Sequence, residues 1–220
     1  MADVTPHSSR GLGRRTVLRN GLLTGLGAAV ATASIASPAL TGVAWANTVT
    51  AARPGWPTEY FTAQPQWWWC SKCSGFFYSS GGSPAGICPA GYAHNPYNSW
   101  MYETVYDHFS EASVQEGWRW CNWCQGLFWP LQASSHCPGN VLTRYPYTTG
   151  PHNVGPGSYD YSLLVAPWNG NLQPNWLWCS VCQGLFHANS GVNAGLCPVN
   201  ATSQHQGGKS WPYLLFIGHK

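Results

Sequence analysis

Charge is what this sequence has least of. Only 8% of its 220 residues are Asp, Glu, Lys or Arg, and seven are acidic. Beyond residue 46 the acids are Glu59, Glu103, Asp107, Glu111, Glu116 and Asp160, and no pair of them recurs, which leaves little for paired-carboxylate hydrolysis. Neither H-E-x-x-H nor G-x-S-x-G occurs, so two common hydrolase signatures are missing. The stretch Glu103–Glu111, with Asp107-His108 inside it, reads as a solvated loop. Long helices are excluded as well, because Gly, Pro, Trp, Tyr and Asn, all plentiful here, are poor helix formers. Disorder is excluded by an aromatic content of 15%. Short strands joined by turns are what such a composition builds.

The N-terminus is different in kind. Arg14 and Arg15 precede an uncharged, mildly apolar run from Asn20 to Ala46, which ends in Ala44-Trp45-Ala46. A basic start, an apolar stretch and a small-x-small exit define a secretory signal, and the paired arginines point to the twin-arginine route. Gly and Thr interrupt the run, which disfavours a permanent membrane anchor. The expected organisation is a signal over 1–46, a linker over 47–57 and a repeat domain over 58–220. Export leaves a secreted chain without a membrane span.

Cleavage also removes four of the ten basic residues and one of the seven acids, leaving six of each. A nucleic-acid binder needs a basic footprint, and an anionic membrane surface attracts basic segments. The mature chain offers neither partner such a face.

Three copies of one unit fill the remainder. They read W-x-W-C-x-x-C-x-G-[FL]-F, at Trp67–Phe77, Trp118–Phe128 and Trp176–Phe186. A Cys-Pro step follows at Cys88, Cys137 and Cys197, then a His and S-[WY]-x-Y, ending at Tyr102, Tyr161 and Tyr213. The approximate units are 58–103, 104–162 and 163–220. Within each, alternation makes W-x-W-C a strand and C-x-x-C-x-G a tight turn, with Gly75, Gly126 and Gly184 expected at positive φ. G-[FL]-F completes the hairpin and S-[WY]-x-Y supplies a third strand. The expected fold is all-β, closed as a pseudo-threefold, β-trefoil-like barrel, since closure removes sheet edges. Three zinc-ribbon-like beads in a row are the alternative.

All nine cysteines lie in the repeats, three per unit. An odd number per unit cannot be closed by disulfides within each copy. Adding the following His makes four ligands, and the C-x-x-C-x-G turn resembles a zinc knuckle. The candidate sets are Cys70, Cys73, Cys88 and His94; Cys121, Cys124, Cys137 and His152; and Cys179, Cys182, Cys197 and His205. Four protein ligands close the coordination sphere, so three structural zinc ions are implied. Disulfides with free thiols, and redox chemistry at C-x-x-C, are the alternatives. The second set is strained, because Cys137 and His152 are 15 residues apart against 6 and 8 in the other copies. His136 is its rival ligand.

The whole pattern, from Trp67 to Tyr213, resembles tandem repeats in exported proteins of actinobacteria and some other soil bacteria. The commoner form carries Cys-Pro-x-Gly-Gly before the His, and Cys88-Pro89-Ala90-Gly91 is the nearest match here. The resemblance implies this architecture and export, and no enzymatic activity. A binding module for carbohydrate or a cell-wall polymer is therefore expected, with Trp100, Tyr102, Tyr159, Tyr161, Trp211 and Tyr213 as candidate stacking platforms. Trp123, Trp129 and Trp168 are further candidates, while W-x-W is expected to fill the core. A secreted hydrolase and a disulfide-linked surface protein are the other readings.

Overall fold

The computed structural model describes residues 62–81, 86–106, 113–130, 134–144, 147–166, 171–189, 191–200 and 202–218, with the backbone alone for 142–144 and 147. The segments expected to be a signal and a linker, the start of the first unit, and Glu59, Asp107, His108, Glu111, Trp168 and His219 lie outside the described residues.

Thirteen strands and no helix occur among the described residues. The first unit contributes β1 (Thr62–Trp69), β2 (Phe76–Tyr78) and β3 (Met101–Tyr106). The second contributes β4 (Val114–Trp120), β5 (Leu127–Phe128), β6 (Val141–Arg144), β7 (Tyr147–Thr149) and β8 (Tyr161–Leu164). The third contributes β9 (Leu172–Trp178), β10 (Leu185–His187), β11 (Asn193–Ala194), β12 (His205–Gln206) and β13 (Tyr213–Ile217). In each unit the W-x-W strand pairs antiparallel with its hairpin partner and with the strand after S-[WY]-x-Y. The β6–β7 ribbon takes up the additional residues between Cys137 and His152. Strands β3 and β8 continue to Tyr106 and Leu164.

The three units join in a cycle. Strand β3 pairs with β8 and with β13, and β13 pairs with β8. The hairpin turns are linked in the same sense, by bridges between Phe77 and Gly126, Phe128 and Gly184, and Phe186 and Gly75. The N–H groups of Tyr78, Trp129 and His187 donate to the carbonyls of Gln125, Gln183 and Ser74 at 2.9, 3.0 and 2.9 Å. Unit one binds two, two binds three, and three returns to one. The outcome is a nearly closed, barrel-like antiparallel sheet, not a row of beads.

Aromatics fill the interior. Trp67, Trp118 and Trp176 have no exposed surface. Each meets edge-on a tyrosine of another unit, at centroid distances of 5.3 Å for Trp67–Tyr161, 5.3 Å for Trp118–Tyr213 and 5.2 Å for Trp176–Tyr102. That arrangement favours the ring quadrupoles. The same tyrosines donate their hydroxyls to Gln64, Gln115 and Gln173, with Tyr161–Gln64 at 2.5 Å. Tyr102, Tyr161 and Tyr213 are thus buried core residues, which corrects their expected role as ligand platforms. A large ring with one polar tip suits a small core short of aliphatic residues, provided the tip is hydrogen-bonded.

Each W-x-W strand bends just before its first tryptophan. Gln66, Gly117 and Asn175 have φ of 71°, 93° and 68°, and the register shifts between Gln64 and Trp67 and between Gln115 and Trp118. Pro65 and Pro174 sit beside these bulges, where a missing ladder N–H is tolerated.

Candidate metal centres

The C-x-x-C turn is built by its own backbone. Cys70 N–H donates to Gly75 C=O at 2.9 Å and Ser74 N–H to Cys70 C=O at 2.8 Å, with equivalent bonds in the second and third units. The left-handed residue of the turn is Ser74, Gln125 or Gln183, with φ of 62°, 63° and 69°. Positive φ therefore falls one residue before the glycine, which corrects the sequence expectation. The glycine answers a different constraint. A Cβ at Gly75, Gly126 or Gly184 would lie 3.3, 3.3 or 3.5 Å from the Sγ of the preceding C-x-x-C cysteine. Gly126 N–H itself points at Cys124 Sγ, 3.4 Å away.

A third cysteine and a histidine complete each turn. Cys70, Cys73, Cys88 and His94 form one group, Cys121, Cys124, Cys137 and His152 the second, and Cys179, Cys182, Cys197 and His205 the third; within each, the ligand atoms lie within 4.8 Å of one another. First and third sulfurs are 3.9, 3.6 and 4.0 Å apart. Second sulfur and histidine Nδ1 are 3.5, 3.4 and 3.4 Å apart. All nine cysteines are buried. A tetrahedral ion with Zn–S of about 2.3 Å needs sulfurs about 3.8 Å apart, so the groups are compatible with zinc. His136 bonds to Thr149 Oγ1 at 3.1 Å instead, and His152 takes the ligand position.

The shell behind the ligands ties neighbouring units together. His94 Nε2 donates to Cys124 C=O and His152 Nε2 to Cys182 C=O, both at 3.1 Å. A carbonyl only accepts, so Nε2 carries the proton and Nδ1 is free to ligate. Each ring also stacks on the last phenylalanine of its own hairpin, with centroids 4.7, 4.5 and 4.8 Å apart. His205 Nε2, by contrast, is buried with no partner.

Electrostatics within each group are unequal. The first cysteine is held far below the usual thiol range by hydrogen bonds from the second and third. The second is pushed well above it, in Cys73 foremost by its bond to Cys70 and in Cys124 and Cys182 foremost by burial. Bonding to the first thiolate pushes the third up, Cys88 to about 11 and Cys137 and Cys197 to about 12. The first thiol is thus favoured as thiolate and the other two as protonated donors to it. A divalent cation that takes all three must displace two protons.

The remaining repeat residues have structural work to do. Ser99, Ser158 and Ser210 accept, through Oγ, the N–H of Trp69, Trp120 and Trp178 at 2.8, 2.8 and 2.7 Å. Among the aromatic candidates, Trp100, Trp123 and Trp211 are 37%, 41% and 58% exposed. Tyr159 is half-buried and stacked on Tyr106, centroids 3.9 Å apart. Trp129 packs against the core. Three glutamines escaped the sequence reading, although the signal was present: Gln64, Gln115 and Gln173 each stand three residues before the first Trp of a unit.

The geometry defines an all-β protein with three buried Cys3His groups that can each hold a metal ion. Comparison of the chain with protein-family models, curated proteins and solved structures finds no match.

Proposed function

We propose that the mature chain is a secreted, non-catalytic binding module held together by three structural zinc ions, and that it binds carbohydrate or a cell-surface polymer. The observation that carries the zinc reading is the geometry of the three groups. Sulfur–sulfur and sulfur–nitrogen separations match the edges of a tetrahedron around zinc, and three thiolates with one imidazole are a donor set zinc prefers. Four protein ligands leave no coordination position for a substrate. The bound ion would contribute folding free energy to each hairpin. Twin-arginine export suits such a protein, because that route carries chains already folded and metal-loaded.

The binding reading rests on Trp100 and Trp211. They occupy the same repeat position and remain exposed after the tryptophans of W-x-W and the tyrosines of S-[WY]-x-Y have filled the core. Indole faces stack on the apolar faces of sugar rings, and two shallow sites on one chain would gain avidity for a polymer. The test is sedimentation of the mature protein with a panel of insoluble polysaccharides and cell-wall preparations. Trp211→Ala and Trp100→Ala should each weaken retention without changing metal content or thermal midpoint. Retention by no polymer, or variants retained as well as the parent, would contradict the reading.

A further inference from the structure

The residue that follows each G-[FL]-F motif stands at the seam where one unit meets the next. Its N–H holds the seam in all three cases, from Tyr78 to Gln125, Trp129 to Gln183 and His187 to Ser74. At the first two seams a large ring crosses as well. Tyr78 meets Trp120 at a centroid distance of 6.4 Å and Trp129 meets Trp178 at 6.3 Å, both edge-on. The third seam, which closes the cycle, has His187 in that place. Its shorter ring makes its contacts within its own unit.

His187 is buried. Its Nε2 donates to Pro174 C=O at 3.2 Å, its Nδ1 lies 2.7 Å from Asn189 Oδ1, and its ring meets Trp176 edge-on at 5.0 Å. The groups these contacts bring to it are uncharged: Trp176 and the Pro174 carbonyl from β9, Asn189 beyond the end of β10, and the Ser74 carbonyl from the first unit's turn. Among the described residues no charged group acts on its titration. Burial holds the imidazole below the usual histidine range, against the Asn189 and Pro174 oxygens, which favour the charged ring. A buried charge without a counter-charge is costly. That cost is relieved when the ring reaches water, which takes the end of β10 away from Ser74.

We propose that His187 is an acid-sensitive latch on the seam between the third and first units, closed while its ring is neutral and loosened when the ring takes a proton. The sign follows from burial. The unfolded chain binds the proton near the usual value of about 6.5, and the folded chain only at lower pH. Closure is therefore unaffected above that value and weakens below it. The opening equilibrium rises by up to about tenfold per pH unit, until the folded ring is itself protonated. The other two seams carry Tyr78 and Trp129, which have no proton to gain in this range. Ser74 follows Cys73, so an open latch frees the turn of the first candidate metal group.

Amide hydrogen exchange of the mature protein, followed by NMR from above to below about pH 6.5 and expressed as protection factors, tests the latch against the other two seams. Protection of the His187 N–H should fall by up to about tenfold per pH unit on the acid side, while that of the Tyr78 and Trp129 N–H groups holds. His187→Tyr installs the first unit's residue and should remove the difference. Parent and variant carry the same metal groups, so acid effects on metal cancel between them. The ring resonances of His187 in the unaltered protein give a second reading, which needs no variant to fold, and should titrate below the usual histidine value. Equal loss of protection at all three seams, a fall that persists in His187→Tyr, or a ring that titrates at or above the usual value would each overturn the proposal.

Discussion

His94, a candidate ligand of the first metal group, donates its Nε2 proton to the backbone carbonyl of Cys124, a candidate ligand of the second, over 3.1 Å. His152 repeats the relation toward Cys182 of the third group. The first and second centres therefore each orient a ligand on the backbone of the next, and the three groups are linked in series.

The first prediction follows from that linkage. Cys137→Ala breaks the second group and loosens the turn that presents the Cys124 carbonyl. The first group should then hold its ion about 10- to 100-fold more weakly, the usual effect of losing an outer-shell partner. Chelator competition followed by native mass spectrometry reads this directly. Two remaining ions held with unchanged affinity would show that the groups are independent.

Asymmetry gives a second prediction. His205 Nε2 lacks the carbonyl partner that His94 and His152 have. The third group should accordingly release its ion first under a chelator, which cysteine-alkylation mapping of the two-ion species would locate at Cys179, Cys182 and Cys197. Initial release from the first or second group would contradict this.

Proton release is the third. In the metal-free groups the second and third thiols sit above the usual range. Both therefore keep their protons at and below neutral pH, and binding must expel two per ion. Raising the pH toward the thiol range should favour binding, with log affinity climbing by about two per pH unit per ion. Zinc competition at a series of pH values measures the slope. A slope near zero would mean that the thiolates exist before the ion arrives.

A fourth concerns a glycine outside the W-x-W motif. Gly195 has φ of +61°, and a Cβ there would stand 2.0 Å from the carbonyl oxygen of Cys73 in another unit. Gly195→Ala meets backbone, which cannot swing aside, so a loss of about 3 kcal/mol or more is expected. Gly208→Ala, with nothing within 4 Å, is the control and should cost less than about 1 kcal/mol. Urea unfolding of both variants makes the comparison.

Much of this was legible in the chain because each feature repeats. Cys70, Cys73, Cys88 and His94 could be grouped from order alone, since the same order returns twice. Closure could be expected from edge-strand physics, yet its agents could not be named. The Phe77–Gly126, Phe128–Gly184 and Phe186–Gly75 bridges join residues about 50 to 110 positions apart, and no local pattern encodes them. Direction was likewise hidden: Tyr102, Tyr161 and Tyr213 look identical to Trp100, Tyr159 and Trp211 in period, but a side chain's face depends on the bulge before each Trp. The left-handed residue was misplaced for a related reason. Glycine is the usual occupant of positive φ, but in this turn it is kept by the approach of a sulfur, and Ser74, Gln125 and Gln183 carry the φ instead.

Metal content decides whether the three Cys3His groups are zinc sites. Elemental analysis of the chain folded in the cytoplasm and purified without chelator, paired with a thiol count after denaturation, tests it most directly. Three zinc ions per chain and nine free thiols, one ion for each Cys3His group, is the predicted result. Protein that is folded but free of metal, with its cysteines oxidised to disulfides, would contradict it.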